Sequence, residues 1–594
     1  MPKERLFAKA LKKEVAENAI TLAKMRENSL FPVDTKKKIV YIGVGIDSAN
    51  VFAKNLQKEY NIPHYFFNFK QDSAAADKLV NSILDKYDEV IVGVHNFSRR
   101  PANNFGISRP AYYLVNKIQS SMPTITLVFG NPYSIKNISA TSSNLLACYD
   151  DDDITQLAAL DMVVGKKEPK GKLPVTVSDD LPSGTGIYTY KKFSYTSPEE
   201  VGMRSDVLDK IDSIANDAIA KHAAPGCVVL VAKNGMVAFH RCYGYTNYDS
   251  LEPTTKDMVY DLASVTKTSA TTVAVMKLYE QGLLDLNKTL GDYLPWVRGS
   301  NKDTLLIKNI LLHQAGLVGW IPFYKETLDK SGYPLPGIYN TVPSDYFSIR
   351  VANGLYMRND WKDTMYVRML NSKLGVSNKY EYSDNDFIFL GKIVEAITGK
   401  PLDEFAKETF YTPLKMATTT FHPLNYLSPQ IIAPTERDKN FRQQLLRGDV
   451  HDPAAAMFGG VAGHAGLYSN AYDLAQLYQM LLNGGEMNGV RYLQKETIDK
   501  FTAYSSDVSR RGLGFDKPEK DNDTRPDPYP APGVPLSIFG HTGFTGTCVW
   551  ADPDNDLLYI FLSNRVTPDA ENNKLLKMKV RANIQEVIYQ SLVK

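Results

Sequence analysis

Between Lys36 and about Val177, five short apolar runs, IVYIGVG, HYFFNF, EVIVGVH, TITLVFG and LLACYD, alternate with stretches of helical period. A continuous apolar run has no polar face, so each strand must be covered on both sides and the intervening helices supply the cover. This is the pattern of a parallel, doubly wound α/β sheet. The segment SDDLPSGTGIYTYKKFSYTSPEEVG that follows keeps neither period and is rich in Ser, Gly, Pro, Thr and Tyr, which marks a linker. At 594 residues the chain exceeds what one core can fill, so at least two domains are expected.

A second unit opens near Ser197. Its helical stretch RSDVLDKIDSIANDAIAKHA stops at Pro225-Gly226, and two β runs, CVVLVAK and MVAFHRCYGY, follow, joined at Asn234-Gly235. Both turn residues accept positive φ, which favours a tight hairpin. Strand candidates TCVWADP and LLYIFLSN return near the end, after a middle that mixes helical stretches such as AYDLAQLYQMLLNGG with long irregular segments. Strands at both ends of one unit imply that they meet in a single antiparallel sheet, an α+β arrangement with a helical subdomain between them. The net charge of +2 gives no argument for nucleic acid or an anionic membrane surface as partner. No apolar run reaches the ~18 residues a membrane helix needs. The start, MPKERLFAKALKKEVAENAI, reads as a charged amphipathic helix rather than a secretion signal, so export would require a signal not carried here. Cys148, Cys227, Cys242 and Cys548 are scattered, with no metal or redox spacing.

The stretch DLASVTKTSATT contains Ser264 and Lys267, three residues apart at the start of an apolar helical segment that stops at Gly282. Residues i and i+3 share a helix face, so the lysine amine can reach the serine hydroxyl. The positive end of the helix would disfavour the ammonium and favour an anionic intermediate. The alternative is plain: Ser264 as a helix cap and Lys267 as a solvated first-turn lysine. A second Ser-x-x-Lys, Ser591 to Lys594, shows that the tetrapeptide alone decides nothing. Two later segments add to it: YEYSDNDFIFLG, with Tyr382 and Asp384 before another apolar helix, and FGHTGFTGTCVW, with His541, Thr542 and Gly543 at a late strand.

With these three parts, residues 195 to 594 resemble the serine β-lactamase and penicillin-binding-protein superfamily, in its class C and esterase-like branch. LLHQAGL, GKPLDEFAKETFYTPLKM and GGVAGHAGLYSNAYDLA add to the likeness. The resemblance implies a β-lactamase-like domain with Ser264 as acylated nucleophile, Lys267 as its proton partner and Tyr382 as the phenol that shares the base role. It implies an oxyanion site made by the backbone N–H groups of Ser264 and Phe544, and substrate contacts from Asp384, His541, Thr542, Gly543 and His464. Two positions depart from the family pattern. Asp384 stands where Asn is usual, and an ionised carboxylate accepts but does not donate; His541 stands where many β-lactamases have Lys, which argues against good β-lactamase activity.

AENAITLAKMRENSLFPV, the βα succession and GKLPVTV resemble the C-terminal, flavodoxin-like α/β domain of glycoside hydrolase family 3, in the β-N-acetylglucosaminidase branch. The resemblance implies residues 1–35 as a linker helix left from an absent glycosidase barrel, 36–180 as a noncatalytic α/β domain, 181–196 as linker and 197–594 as the serine hydrolase. The barrel would be the covalent partner in a longer fusion, and no glycosidase activity is expected of this chain. The fusion points to peptidoglycan fragments: hydrolysis of the lactyl amide of N-acetylmuramic acid before L-Ala, in cell-wall recycling. An esterase, a D-Ala-type peptidase or weak β-lactamase, and a silent wall-fragment-binding module are the alternatives. A small muropeptide or ester is then the partner, no metal or organic cofactor is required, and a periplasmic or envelope location would follow from a signal on the longer protein.

Other residues have two readings each. The run Asp150 to Asp153 suggests a cation site or a loop whose last aspartate caps the next helix. His451, Asp452 and His464 either line the pocket or bond to backbone, without zinc spacing. Trp320, Phe323 and Tyr324 form either a sugar-stacking wall or packing aromatics.

Overall fold

The computed structural model describes residues 3–25, 31–35, 37–187, 193–488 and 490–593. The chain divides into two compact units, Met1–Tyr190 and Lys191–Lys594.

In unit 1 the elements run α1 (Lys3–Ala19), β1 (Thr21–Lys24), β2 (Ile39–Val44), α2 (Val51–Tyr60), β3 (His64–Phe67), α3 (Ser73–Ile83), β4 (Glu89–Val94), α4 (Arg109–Ser121), β5 (Thr124–Val128), β6 (Asn144–Ala147) and α5 (Asp153–Val163). The sheet order is β1-β6-β5-β4-β2-β3, parallel throughout except for the edge strand β1, which runs antiparallel to β6. Alternate strand residues enter two cores: Val40, Ile42, Val90 and Val92 on one face, Ile39, Tyr41, Ile91 and Leu127 on the other. That two-sided burial is why these strands read as unbroken apolar runs.

Residues 1–35 were expected as a linker helix, but β1 within them joins the sheet and α1 packs on α5. The linker expected at 181–196 is also shorter. Gly184 and Ile187 donate to the carbonyls of Leu173 and Leu22, within unit 1, and 188–192 lie outside the described residues. The helix cap in the aspartate run is Asp152, accepting from the Thr155 N–H at 2.8 Å, one residue earlier than the last aspartate; Asp151 instead holds buried His95 at 2.7 Å.

Unit 2 begins with β7 (Ser194–Tyr195), α6 (Lys210–Ala220), β8 (Gly226–Lys233), β9 (Met236–Gly244) and β10 (Tyr260–Asp261). Then come a π-helical turn (Lys267–Thr272) running into α7 (Val273–Glu280), α8 (Asp384–Thr398), α9 (Pro453–Met457), β11 (Tyr468–Ser469) and α10 (Ala471–Leu482). The unit closes with β12 (Phe539–Thr542), β13 (Cys548–Asp552), β14 (Leu557–Ser563) and α11 (Val580–Gln590). Its main sheet has the order β12-β13-β14-β8-β9-β7, antiparallel apart from the β7–β9 edge. The last long strand therefore lies beside the first, as expected from the strand candidates at both ends.

Period-two alternation again serves two cores. Val228, Leu230 and Ala232 of β8, with Leu558 and Ile560 of β14, face the helical middle of the chain. Cys227, Val229 and Val231, with Tyr559 and Phe561, face α6 and α11. The hairpin between β8 and β9 turns on Asn234 and Gly235 at φ 52° and 72°, the left-handed pair that a two-residue turn requires. Among the described residues no helix is long and apolar enough to cross a membrane.

Candidate active site

The turn carrying Ser264 is held from several sides. The Asp261 carboxylate accepts from the N–H groups of Ala263 (2.9 Å) and His451 (2.7 Å). The hydroxyls of Thr545 and Thr547, between β12 and β13, donate to the carbonyls of Asp261 and Leu262. Ala263 adopts φ 47°, a left-handed conformation that costs a residue with a Cβ about 1–2 kcal/mol and that these bonds impose. At Gly543 an added Cβ would lie 2.4 Å from the Leu262 carbonyl, so only glycine lets this strand end approach the Ser264 turn. Among the described residues the N–H groups of Ser264 and Phe544 have no acceptor, and both residues line the same cavity.

Lys267 is fully buried and makes three contacts: Ser264 Oγ at 3.0 Å, Asp384 Oδ1 at 2.7 Å and the His464 carbonyl at 3.3 Å. It begins a π-helical turn, a widened geometry that occurs often at functional sites, rather than the first turn of a regular helix. The solvated-lysine alternative therefore does not hold. Burial opposes the ammonium, but Asp384 and Tyr382 outweigh it and the pKa is raised, so Lys267 is charged at rest.

Tyr382 has its ring 4.9 Å from Lys267 Nζ, and burial raises its phenol pKa against the pull of Lys267. Asp384, read from sequence as a substrate contact, has one oxygen held by Lys267. His541 is buried, with Nδ1 2.7 Å from the Thr542 carbonyl and Nε2 without a partner among the described residues; burial and Arg511 bring its pKa down to about 3, so it is neutral. His464 is also buried and bonds Asp452 at 2.8 Å, presenting its carbonyl to Lys267. His451 holds Glu436 at 3.0 Å and stacks on the Phe544 ring.

Ser264, Tyr382, Asp384, His451, His464 and His541 line a cavity of about 930 Å³. Thr542, Gly543, Trp320 and Tyr324 line it too, while Phe323 is a core residue packed on Phe458. Asp384, Asp452 and His464 bring one ligand atom each within 4.8 Å of one another. The Lys267 ammonium already supplies the positive charge beside Asp384, and Asp452 and His464 satisfy each other, so the group reads as a hydrogen-bonded support for Lys267. Of the second Ser-x-x-Lys, Ser591 is buried and donates to the Ile588 carbonyl, and Lys594 lies outside the described residues.

Sequence reasoning missed Arg511. Its guanidinium is 2 % exposed and lies 5.4 Å from the Tyr382 ring, with Nε 3.7 Å from the Asp516 carboxylate and Nη2 donating to the Tyr380 hydroxyl at 3.3 Å. Nothing in SRRGLGFD signals this, because the fold alone brings that loop against Tyr382.

The Beta-lactamase family model matches residues 211–581, which lie within unit 2. A protein of Escherichia coli (strain K12) named "Putative D-alanyl-D-alanine carboxypeptidase" is 32% identical over 400 residues, 63% of this chain and 86% of that protein. A Salmonella typhi protein of the same name is 33% identical over 417 residues, 65% of this chain and 89% of its own. A penicillin-binding-protein homologue from Caulobacter crescentus superposes with a TM-score of 0.47 at 20% identity, covering 66% of this chain and 99% of its own.

Proposed function

This chain belongs to the beta-lactamase family, and from that premise we propose that unit 2 is a serine hydrolase that works through an acyl-enzyme on peptidoglycan-derived fragments. The observation that carries the reading is the 3.0 Å approach of Lys267 Nζ to Ser264 Oγ, beside two unengaged backbone N–H groups in one cavity. Ser264 Oγ attacks the substrate carbonyl carbon, and its proton passes to the Lys267 amine in molecules whose Lys267 has released its own. The Tyr382 phenol gives the departing nitrogen a proton and recovers one from Lys267. Water then adds to the acyl carbon, Ser264 Oγ leaves with a proton, and the cycle closes.

The preferred substrate is the amide that joins the lactyl group of N-acetylmuramic acid to L-Ala. Support comes from the resemblance of unit 1 to the C-terminal domain of family 3 β-N-acetylglucosaminidases, enzymes that trim the same wall fragments. In this reading unit 1 is a noncatalytic α/β domain and its glycosidase barrel is a covalent partner. A second reading, D-alanyl-D-alanine carboxypeptidase, draws on the names of the relatives and uses the same residues on a different carbonyl.

The test is mass spectrometry of N-acetylmuramoyl-L-alanyl-D-isoglutamine incubated with the chain and with Ser264→Ala. Free N-acetylmuramic acid from the unmodified chain alone is the expected result. An intact muropeptide together with D-Ala released from a D-Ala-D-Ala peptide would transfer the activity to the second reading. No covalent labelling by a fluorophosphonate would defeat both.

A further inference from the structure

His313, in the LLHQAGL segment, and Asp386, in the first turn of α8, are each 1 % exposed and meet beside Tyr382. The His313 carbonyl accepts from the Glu381 N–H at 2.9 Å, and its ring Nδ1 accepts from the Ser383 N–H at 3.2 Å. One residue thus grips the chain on either side of Tyr382. The centres of the His313 and Tyr382 rings are 4.6 Å apart. His313 does this from a left-handed backbone, φ 56°, a conformation that persists only where surrounding contacts impose it.

The same Nδ1 lies 2.7 Å from Asp386 Oδ2, a separation that a salt bridge would also show. The Ser383 N–H argues against an ion pair. A ring nitrogen that accepts from a backbone N–H carries no hydrogen of its own, so the proton between Nδ1 and Oδ2 belongs to the carboxyl group. His313 then keeps its hydrogen on Nε2. Among the described residues neither His313 Nε2 nor Asp386 Oδ1 has a partner, which costs a neutral pair far less than it costs buried ions. The charged groups facing Asp386 are Lys267, Asp384, Arg511 and Glu381; burial raises its pKa well above the ordinary carboxylate value, and the two cations do not reverse this. Facing His313 are Arg511, Lys267, His541 and the rings of Tyr380 and Phe387; burial, and then Arg511, hold its pKa well below the ordinary value. The start of α8 favours negative charge in its first turn, but by less than burial opposes it.

We propose that Asp386 stands as a carboxylic acid donating to a neutral His313, and that the two together are positioning residues that fix Tyr382 in the wall of the Ser264 cavity. The proposal rests on the reading of Tyr382 as proton donor to the leaving group and deepens it. An ionised Asp386 would add a second carboxylate beside Asp384 and oppose the phenolate that this proton transfer leaves behind. The protonated pair gives the same hold on the chain with no net charge.

Asparagine can place an N–H donor where the acid has its O–H, so Asp386→Asn imitates the protonated residue. With 4-nitrophenyl acetate its kcat/KM should stay within about threefold of the unmodified chain and its Tyr382 limb should not move, whereas Asp386→Leu should lower kcat about ten- to a hundredfold with KM little changed. A Tyr382 limb displaced to lower pH in Asp386→Asn would show that a negative charge had been removed, and overturns the proposal. Full activity of a folded Asp386→Leu overturns the positioning role. Infrared difference spectroscopy between the unmodified chain and Asp386→Asn at about pH 7, where an ordinary Asp is ionised, reads the proton itself. A protonated-carboxyl band lost in the variant is expected; its absence from the unmodified chain overturns the proposal even if Asp386→Leu does not fold. A chain that hydrolyses no ester strikes the hydrolase reading and the positioning role with it, while the infrared band still decides the state of Asp386.

Discussion

The Lys267 amine lies 2.7 Å from an Asp384 carboxylate oxygen, closer than it lies to the Ser264 hydroxyl it is proposed to deprotonate. Asp384 thus stabilises the charged, inactive form of the base. Asp384→Asn removes that stabilisation while burial still disfavours the ammonium, so the Lys267 pKa falls. The acidic limb of the kcat/KM profile for an ester substrate should move to lower pH. An unmoved limb would show that the profile does not report Lys267.

Arg511 should act through Tyr382. The groups facing that phenol are Lys267, Asp384, Arg511 and two histidines, His313 and His541, that burial keeps neutral. After Lys267, Arg511, whose Nε lies 3.7 Å from Asp516, is the cation that favours the phenolate. Arg511→Met should raise the pH at which the Tyr382 limb of kcat/KM appears, and Arg511→Lys should restore it. A lower rate with an unchanged profile in both variants would mark Arg511 as structural only.

His541 gives a prediction for stability. Its pKa is near 3 folded against about 6.5 unfolded. Between those values the unfolded chain binds the extra proton, so lowering the pH in this window destabilises the fold, by about 1.4 kcal/mol per pH unit for this group at most. Urea unfolding at several pH values between 6.5 and 4 should show a shallower slope, by about one proton, in His541→Gln. The same slope in both proteins would mean that His541 is protonated in the folded chain.

Gly463 is a packing test of the same site. A Cβ there would stand 1.9 Å from the Phe387 carbonyl of α8, and the next residue, His464, gives Lys267 one of its acceptors. Gly463→Ala should destabilise unit 2 by about 1–3 kcal/mol, as overpacking does. It should also lower acylation disproportionately, because it moves the His464 carbonyl. Thermal unfolding with fluorophosphonate labelling checks both.

The sheets were legible because strand burial leaves a period in the sequence: unbroken runs in unit 1, and the Asn234-Gly235 hairpin in unit 2. Ser264 and Lys267 were legible through spacing, and Tyr382 and His541 through resemblance. What stayed hidden depends on contacts between distant segments. The charge state of Lys267 is set by Asp384, more than a hundred positions along the chain, and His464 acts on it through a backbone carbonyl, which every residue has. Arg511 lies in an unremarkable stretch, and only the fold brings it against Tyr382. Strand β1 was missed because a four-residue edge strand after a charged helix has too few positions to display a period.

The pairing of β8 with β14, which makes Lys233 and Leu557 cross-strand neighbours, also orders events during synthesis. The β8–β9 hairpin is made long before β14, and its buried edge stays open until that strand has been made. The Ser264 turn is held partly by Thr545 and Thr547, so it too stays unfinished until then. A nascent or truncated chain ending before β12 would expose that edge to other chains and lack a formed nucleophile turn. Hydrolytic capability would thus emerge late and all at once.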